Sequence, residues 1–589
     1  MKQFFKFMLA SMTGFFLGTI ILFFLLLAII SGLMMSVQGD KKVGVSDNSV
    51  LEINFEDPIK ERTSNNPFEE LDFANLKAQR SPGLDQILKS ISKAKADDRI
   101  KGLFLDLTMI QAGMATIEEI RNALLDFKKS KKFVYAYSES YSQGAYYLAS
   151  LADSIYLYPQ GDLDFKGLRV NLLFFKGTLE KLELKPEIIR HGKFKSAVEP
   201  FMYDKMSPEN REQISTFING IWNNMLDGIS ASRNISKATL QQIADSLSAR
   251  KPADALRLHL VDRIAFYDEV LSDLKKKTGI EEKEKVKFIS LKKYANAFVK
   301  AEDFSAKKIA VIYANGDIVS GDGQDDQVGS TRIAASLRKA RLDSTIKAIV
   351  LRVNSPGGSA LASDVIWRET VLAQRAKPLI VSMGDYAASG GYYISCAADT
   401  IVARSNTITG SIGVFGLMFN AQEMFKNKLG ITFDGEKTGK YADIGDMSRP
   451  MSTEERAIIQ EEVEKVYDTF ITHVSEGRNI SKAAVDSIGQ GRVWTGTDAK
   501  KLGLVDVLGG LNDAIEIAAK KANLTSYRTI ALPEQKEFFE QLMEDINTEV
   551  SMSFTKQQLG ESYIYYQKLT ELVNEKGVLA KMPLSIEIK

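Results

Sequence analysis

The chain is poor in the residues that build metal sites and covalent cross-links. Its single cysteine, Cys396, excludes an intrachain disulfide and lies in the apolar run Tyr392–Ala398, the setting of a small core residue. There are only three histidines, His191, His259 and His473, too few and too scattered for a convincing metal centre. A formal net charge of +1 argues against nucleic acid as a partner, since that demands a basic face. The remaining composition, 44% hydrophobic and 26% charged, is that of globular protein, and 589 residues exceed one core.

Charge is also missing from one long stretch. Between Lys6 and Lys41 only Asp40 is ionisable, and Phe15–Met35 is apolar apart from Thr19, Ser31 and the glycines. This exceeds the roughly 20 residues that cross a bilayer and the about 7–15 apolar residues of a cleavable signal. A membrane anchor is predicted. Lysines on both sides (Lys2 and Lys6, Lys41 and Lys42) orient it weakly. The short N-terminal tail and large C-terminal body favour a single pass through the cytoplasmic membrane, with the body on the outer, periplasmic side.

The rest of the chain repeats itself. Ile100–Asp262 overlays Ile346–Asp506 at a nearly constant offset, with Tyr146-Tyr147 on Tyr392-Tyr393 and Asp153 on Asp399. Arg233-Asn234-Ile235-Ser236 falls on Arg478-Asn479-Ile480-Ser481, and Leu260-Val261-Asp262 on Leu504-Val505-Asp506. Short apolar runs (100–107, 133–137, 154–158; 308–313, 346–353, 378–383, 400–403) alternate with amphipathic stretches, which predicts an α/β fold with largely parallel sheets. Ser207-Pro208-Glu209 and Ser452-Thr453-Glu454 each open a long helix. The predicted organisation is an anchor over 1–38, a polar spacer over 39–49, and a first repeat domain over 50–274. A charged linker over 275–305, a second repeat domain over 306–531 and a helical tail over 532–589 follow. No chemistry is assigned to the tail, where 535–550 and 562–574 read as helices.

The two copies differ at a few polar positions, and the differences are complementary. Ser389, framed by Ala387-Ala388 and Gly390-Gly391 between an apolar strand and an apolar helix, stands where the first copy has Gln143. That setting places a hydroxyl at a helix N-terminus, close to a nucleophile elbow; alone, it also describes an ordinary helix cap. Gly357-Gly358 follows the strand 346–353, where the first copy has Gln111-Ala112. Bare amides at a strand end can hold an oxyanion; alone, Pro356-Gly357 is a turn. Lys195, in Gly192-Lys193-Phe194-Lys195, stands where the second copy has Ala442, whereas Lys193 is matched by Lys440. A base needed once survives once, so Lys195 is preferred to Lys193, with His191 as the rival. Burial by Phe194 and Ser196-Ala197-Val198 can lower its pKa toward neutrality. Ser411, in Thr409-Gly410-Ser411-Ile412-Gly413, replaces Phe165 of the first copy and can orient the amine. One half keeps a candidate nucleophile and the other a candidate base, which predicts a serine–lysine hydrolase.

Together these motifs resemble the signal peptide peptidase A family in its long, tandem-repeat form, a relative of the Clp-protease/crotonase fold. The resemblance rests on the anchor, Gly192–Pro200, Asn354–Gly358, Asp385–Tyr393 and Thr409–Gly413. It implies two tandem domains of that fold, with Ser389 as nucleophile, Lys195 as general base and Ser411 as the lysine's partner. Gly357, Gly358 and Gly390 would form the oxyanion hole. It also implies a homotetramer at the membrane that cuts residual signal peptides without metal, ATP or any other cofactor. Two rival classes remain. A crotonase-type acyl-thioester enzyme accounts for Gly357-Gly358 but not for the split of Lys195 and Ser389. A non-catalytic anchored scaffold has no reason to keep the polar set in one half.

Overall fold

The computed structural model describes residues 2–38, 44–64, 70–72, 77–79, 81–297, 305–535 and 578–582. An N-terminal helix, Lys2–Gln38, contains an apolar stretch, Gln3–Leu25, that is long enough to cross a membrane. The predicted helices at 535–550 and 562–574 lie outside the described residues, but for Gln535.

Two sheets repeat one strand order. The first runs Phe288–Ser290, Ser49–Ile53, Ile100–Asp106, Phe133–Tyr141, Ser154–Leu163, Arg263–Ile264, with every pairing parallel. The second, of eight strands, repeats that order as Arg528–Leu532, Lys308–Asn315, Ile346–Ser355, Leu379–Ala388, Thr400–Ala403, Val507–Leu508, parallel along this path, and adds Ile408–Gly410, parallel to Leu379–Ala388, with Val493–Thr495 antiparallel beyond it. Inner strands such as Ile346–Ser355 are buried along almost their whole length, because helices and the neighbouring copy cover both faces. The stretch expected to be a linker is partly built into the fold. Lys275-Lys276-Lys277 completes the helix Tyr267–Thr278, and Phe288–Ser290 adds an edge strand. The charged segment conceals an apolar pair, Phe288-Ile289, that the edge position requires.

The residues shared by the copies hold this framework. Asp153 accepts the Val134 N–H and Asp399 the Leu379 N–H, each at 2.8 Å, tying helix end to strand start in both halves. Tyr146 and Tyr392 donate to the carbonyls of Leu260 and Leu504. In both copies the repeated Asn (Asn234, Asn479) ends a 26-residue helix in the left-handed conformation. The following serine caps the next helix, and the repeated Arg pairs with the repeated Asp, Arg233 with Asp262 and Arg478 with Asp506.

A third sheet joins the copies. Lys185–Arg190 of the first pairs antiparallel with Phe415–Asn420 of the second over six residue pairs. A buried polar cluster adds a second tie. Arg352 bonds Glu61 bidentately (2.8 and 3.1 Å) and lies 2.7 Å from a Glu119 oxygen. Asp385 accepts the N–H groups of Ala115 and Thr116 at 2.9 and 3.0 Å, capping the helix Met114–Lys128 across the interface. That helix approaches so closely that a methyl on Gly113 would overlap the Asp385 carboxylate. Removing Arg352 strands two buried carboxylates, so Arg352→Ala should cost about 3–5 kcal/mol in denaturant unfolding. Lys129→Ala, which breaks an exposed pair with Asp126, should cost less than about 1 kcal/mol. Equal losses would show that the cluster does not bind the copies together.

Candidate active site

Lys185–Arg190 leads directly into the lysine loop. Pairing with Phe415–Asn420 fixes its direction, and His191 N–H continues the contact to the Val414 carbonyl at 3.1 Å. The chain then turns at Gly192 (φ 91°), which rests on the Gln490 backbone, and Phe194 N–H bonds the Gln490 carbonyl at 3.0 Å. Gly491 (φ 80°) lies beneath Lys195; a methyl there would come within 2.6 Å of the Lys195 Cα. Gln213, on the helix Pro208–Arg233, braces the loop from the other side. It donates to Ser196 Oγ (2.7 Å) and to the Phe194 carbonyl (3.2 Å).

Ser389 ends the strand Leu379–Ala388 and precedes the short helix Gly390–Ser395. Its backbone is strained, with φ 54° and ψ −113°, and its side chain makes no helix-cap hydrogen bond. An ordinary N-cap serine would have extended φ and accept from the first turn, so the capping alternative fails here. Gly410, on the neighbouring strand Ile408–Gly410, accepts the Ser389 N–H at 2.8 Å and fixes the turn.

The structure brings together the predicted residues from both copies. Lys195 Nζ lies 2.8 Å from Ser389 Oγ, 3.1 Å from Ser411 Oγ and 3.2 Å from the Ser411 carbonyl. All three side chains are fully buried. Burial drives the Lys195 pKa well below the ordinary lysine value. Ser389 Oγ has a longer contact, 3.4 Å, with the Gly413 carbonyl. His191, the rival base, instead meets Glu464 at 2.6 Å and stacks on Tyr467. Lys193 is turned to the Phe194 ring. His473 stacks on Trp367 at a ring separation of 3.4 Å.

Gly357 (φ 102°) and Gly358 (φ 155°) form the short strand Gly357–Ser359 next to the serine turn. A methyl on Gly357 would lie 2.7 Å from Gly390 N, and one on Gly390 would lie 3.1 Å from Gly357 Cα. Gly357 and Gly390 therefore meet beside Ser389, with Gly358 next in the chain against the Ile318 backbone. In the first copy the corresponding space is filled. Gln143 accepts the N–H groups of Lys166 and Gly167 and donates to the Gly167 carbonyl, and Phe165 packs on Tyr146 and Trp222.

Sequence reasoning missed Gln213, Gly491 and the Asp385–Arg352 cluster. Arg352 was visible as a charge inside an apolar strand, but nothing in the sequence named its partners. The tail was missed as well: Val578–Lys581 is a strand seated against Gly357–Ser359.

Comparison with known proteins shows the family of the chain as a whole. A model of peptidase family S49 matches residues 126–281 and 372–525, and a Clp protease model matches 300–408. Protease 4 of Salmonella typhi is 43% identical over 454 residues, covering 75% of this chain and 73% of that protein. Protease 4 of Haemophilus influenzae is 38% identical over 522 residues, covering 86% and 84%. The chloroplastic serine protease SPPA of Arabidopsis thaliana is 35% identical over 470 residues, covering 78% and 69%. With both halves matched by the family model and these proteases matched over 69–84% of their own length, the chain belongs to peptidase family S49 and is a serine protease.

Proposed function

We propose that the chain is a membrane-anchored endopeptidase in which Ser389 is the nucleophile and Lys195 the general base. The observation that carries this reading is a buried lysine amine 2.8 Å from a strained, buried serine hydroxyl. A neutral Nζ takes the proton of Ser389 Oγ as it attacks a peptide carbonyl, then gives it to the leaving amine. Ser411 holds the amine in place through its hydroxyl and carbonyl. Of the three glycines, Gly358 and Gly390 are the proposed oxyanion donors, a contribution of about 3–4 kcal/mol each, because the Gly357 N–H is already given to Ser355 Oγ at 3.2 Å.

The proposed substrates are residual signal peptides and other short apolar peptides. The apolar helix Lys2–Gln38 would hold the site near a bilayer where such peptides collect, with the body on the outer side of the cytoplasmic membrane. The resemblance to tandem-repeat relatives supports a homotetramer as the assembled form.

Ser389→Ala and Lys195→Ala should each reduce hydrolysis of an apolar reporter peptide on the order of 10⁴-fold or more. The double variant should be no worse than either, as for residues acting as one unit. His191→Ala should stay active; an inactive His191→Ala beside an active Lys195→Ala would transfer the base to His191.

A lysine base works only when neutral. Because burial lowers the Lys195 pKa, activity should rise with pH through a value well below about 10.4. The unfolded chain binds a proton at this position that the folded chain sheds. Stability from this group is therefore lowest below the lowered folded value and grows with pH up to about 10.4. Lys195→Met, inactive, should thus melt above the wild type at neutral pH. An activity limb near 10.4, or a less stable Lys195→Met, would count against a buried neutral amine.

Deleting residues 1–38 should give a soluble enzyme with unchanged turnover on a soluble peptide and poorer clearance of membrane-embedded peptides in cells. Equal clearance by both forms would remove substrate access as the anchor's role.

A further inference from the structure

Each proposed oxyanion donor stands at the start of a helix. Ala360–Ala376 follows Gly358, separated from it only by its cap Ser359, and Gly390–Ser395 begins with Gly390 itself. The two amides keep one separation only while these two helices do. Two contacts fix that spacing near the donors. Ser363, buried on the first helix, lies against Gly390, where a methyl would come within 2.6 Å of its Oγ. Asp364, the next residue, accepts the Tyr393 hydroxyl at 2.8 Å and so joins the first helix to the second within one turn of Gly390.

The helix Thr453–Arg478 completes the group. His473 Nε2 lies 3.3 Å from the same Asp364 oxygen, and Phe470 packs on the Tyr393 ring at 4.6 Å. Trp367, one turn beyond Asp364, stacks on His473 and fixes the imidazole. The copies differ here as they do at Ser389. At the offset of the repeat Glu118 stands for Asp364, Arg121 for Trp367 and Gly228 for His473, while the tyrosine is kept as Tyr147. Glu118 turns instead to the other copy and accepts the N–H groups of Ser405 and Asn406. Tyr147 lies under Arg121 at 4.6 Å, and Gly228 packs so closely on its ring that a methyl would come within 2.7 Å. The link from carboxylate to tyrosine belongs to the half that carries the nucleophile.

We propose that Asp364, bonded to Tyr393 and His473, is a positioning residue that holds the Gly358 and Gly390 amides at the spacing a developing oxyanion requires. The proposal rests on the serine–lysine reading above. Asp364 touches no reacting atom and acts through the two helices. Donors in such a hole lower the barrier only when aimed at the point where charge develops, and a misplacement of about 1 Å costs on the order of 100-fold. The carbonyl of a bound, unreacted peptide carries less charge, so a loss of aim falls on turnover rather than on binding.

The test uses Asp364→Ala, Asp364→Asn and Tyr393→Phe in the full chain in detergent. Hydrolysis of an apolar reporter peptide is measured beside calorimetric binding of two analogues of that peptide. One ends in an aldehyde, whose adduct on Ser389 places an oxygen in the hole; the other ends in an alcohol, which forms no adduct. Asp364→Ala and Tyr393→Phe are each expected to lower kcat about 10-fold or more with KM within about 2-fold, and to weaken the aldehyde by the same factor as kcat/KM. The alcohol should bind as before. Asp364→Asn keeps an acceptor for the Tyr393 hydroxyl and should recover most of the activity, and Asp364→Ala combined with Tyr393→Phe should be no worse than either alone. Tyr393→Phe deletes only a hydroxyl and keeps the test open if Asp364→Ala folds poorly. Unchanged kcat in both single variants, or equal losses of aldehyde and alcohol affinity, would overturn the proposal and leave the serine–lysine reading standing. Equal binding of the aldehyde to wild type and to Ser389→Ala would refute that reading, and the proposal with it.

Discussion

The site exists because one strand of the first copy, Lys185–Arg190, pairs with one strand of the second, Phe415–Asn420. Lys195 comes from the first copy and Ser389 from the second, so neither copy alone supplies both. The pairing delivers the loop 191–195 onto the backbone of Gln490 and Gly491, where a methyl on Gly192 would overlap the Gln490 backbone and one on Gly491 the Lys195 backbone. Only then is the Lys195 amine sealed from water, and that burial lowers its pKa well below the ordinary lysine value. An isolated ammonium in such a place would cost several kcal/mol in desolvation. The neutral form avoids most of that cost and accepts a proton from a hydroxyl, so burial and basicity have one cause.

The copies divide the labour by position. Residues kept in both halves hold the fold: Asp153 and Asp399, Tyr146 and Tyr392, Arg233 and Arg478, each with an equivalent bond. Residues that differ surround the chemistry. Where the second copy has Ser389 and Ser411, the first has Gln143, locked to the backbone of Lys166 and Gly167, and Phe165, packed into its core. The first copy has not merely lost its polar groups. Its site is filled with packing that stabilises it, which leaves it free to serve as the wall that carries Lys195.

Much of this was legible in the sequence because it is local or repeated. The strand runs, the serine caps at Ser207 and Ser452 and the glycine-framed Ser389 are properties of neighbouring residues. The complementary losses at Ser389 and Lys195 needed only the overlay of one half on the other. What was not legible is non-local. Arg352 announces itself as a charge in an apolar strand, yet its partners Glu61 and Glu119 lie more than two hundred residues away. Phe288-Ile289 is too short and too surrounded by charge to read as a strand until Ser49–Ile53 supplies an edge. Val578–Lys581 has the same difficulty, since four residues gain strand character only from the two edges they fill.

Those two edges also set what kind of polypeptide can reach Ser389. Gly357–Ser359 and Phe415–Asn420 offer backbone donors and acceptors, which read an extended chain with little regard for side chains. A residue in a helix or an inner strand has already spent its N–H and C=O on its own fold, and must lose those bonds before it can enter. Selection by side chain enters at few places: the tight space around Ala580 and the apolar surfaces that receive Leu579 and Met582. A slot of this form is tolerant of sequence and intolerant of folded structure. On the proposed reading of a membrane-anchored protease, such a slot would take a chain that is unpaired, apolar and small at one position.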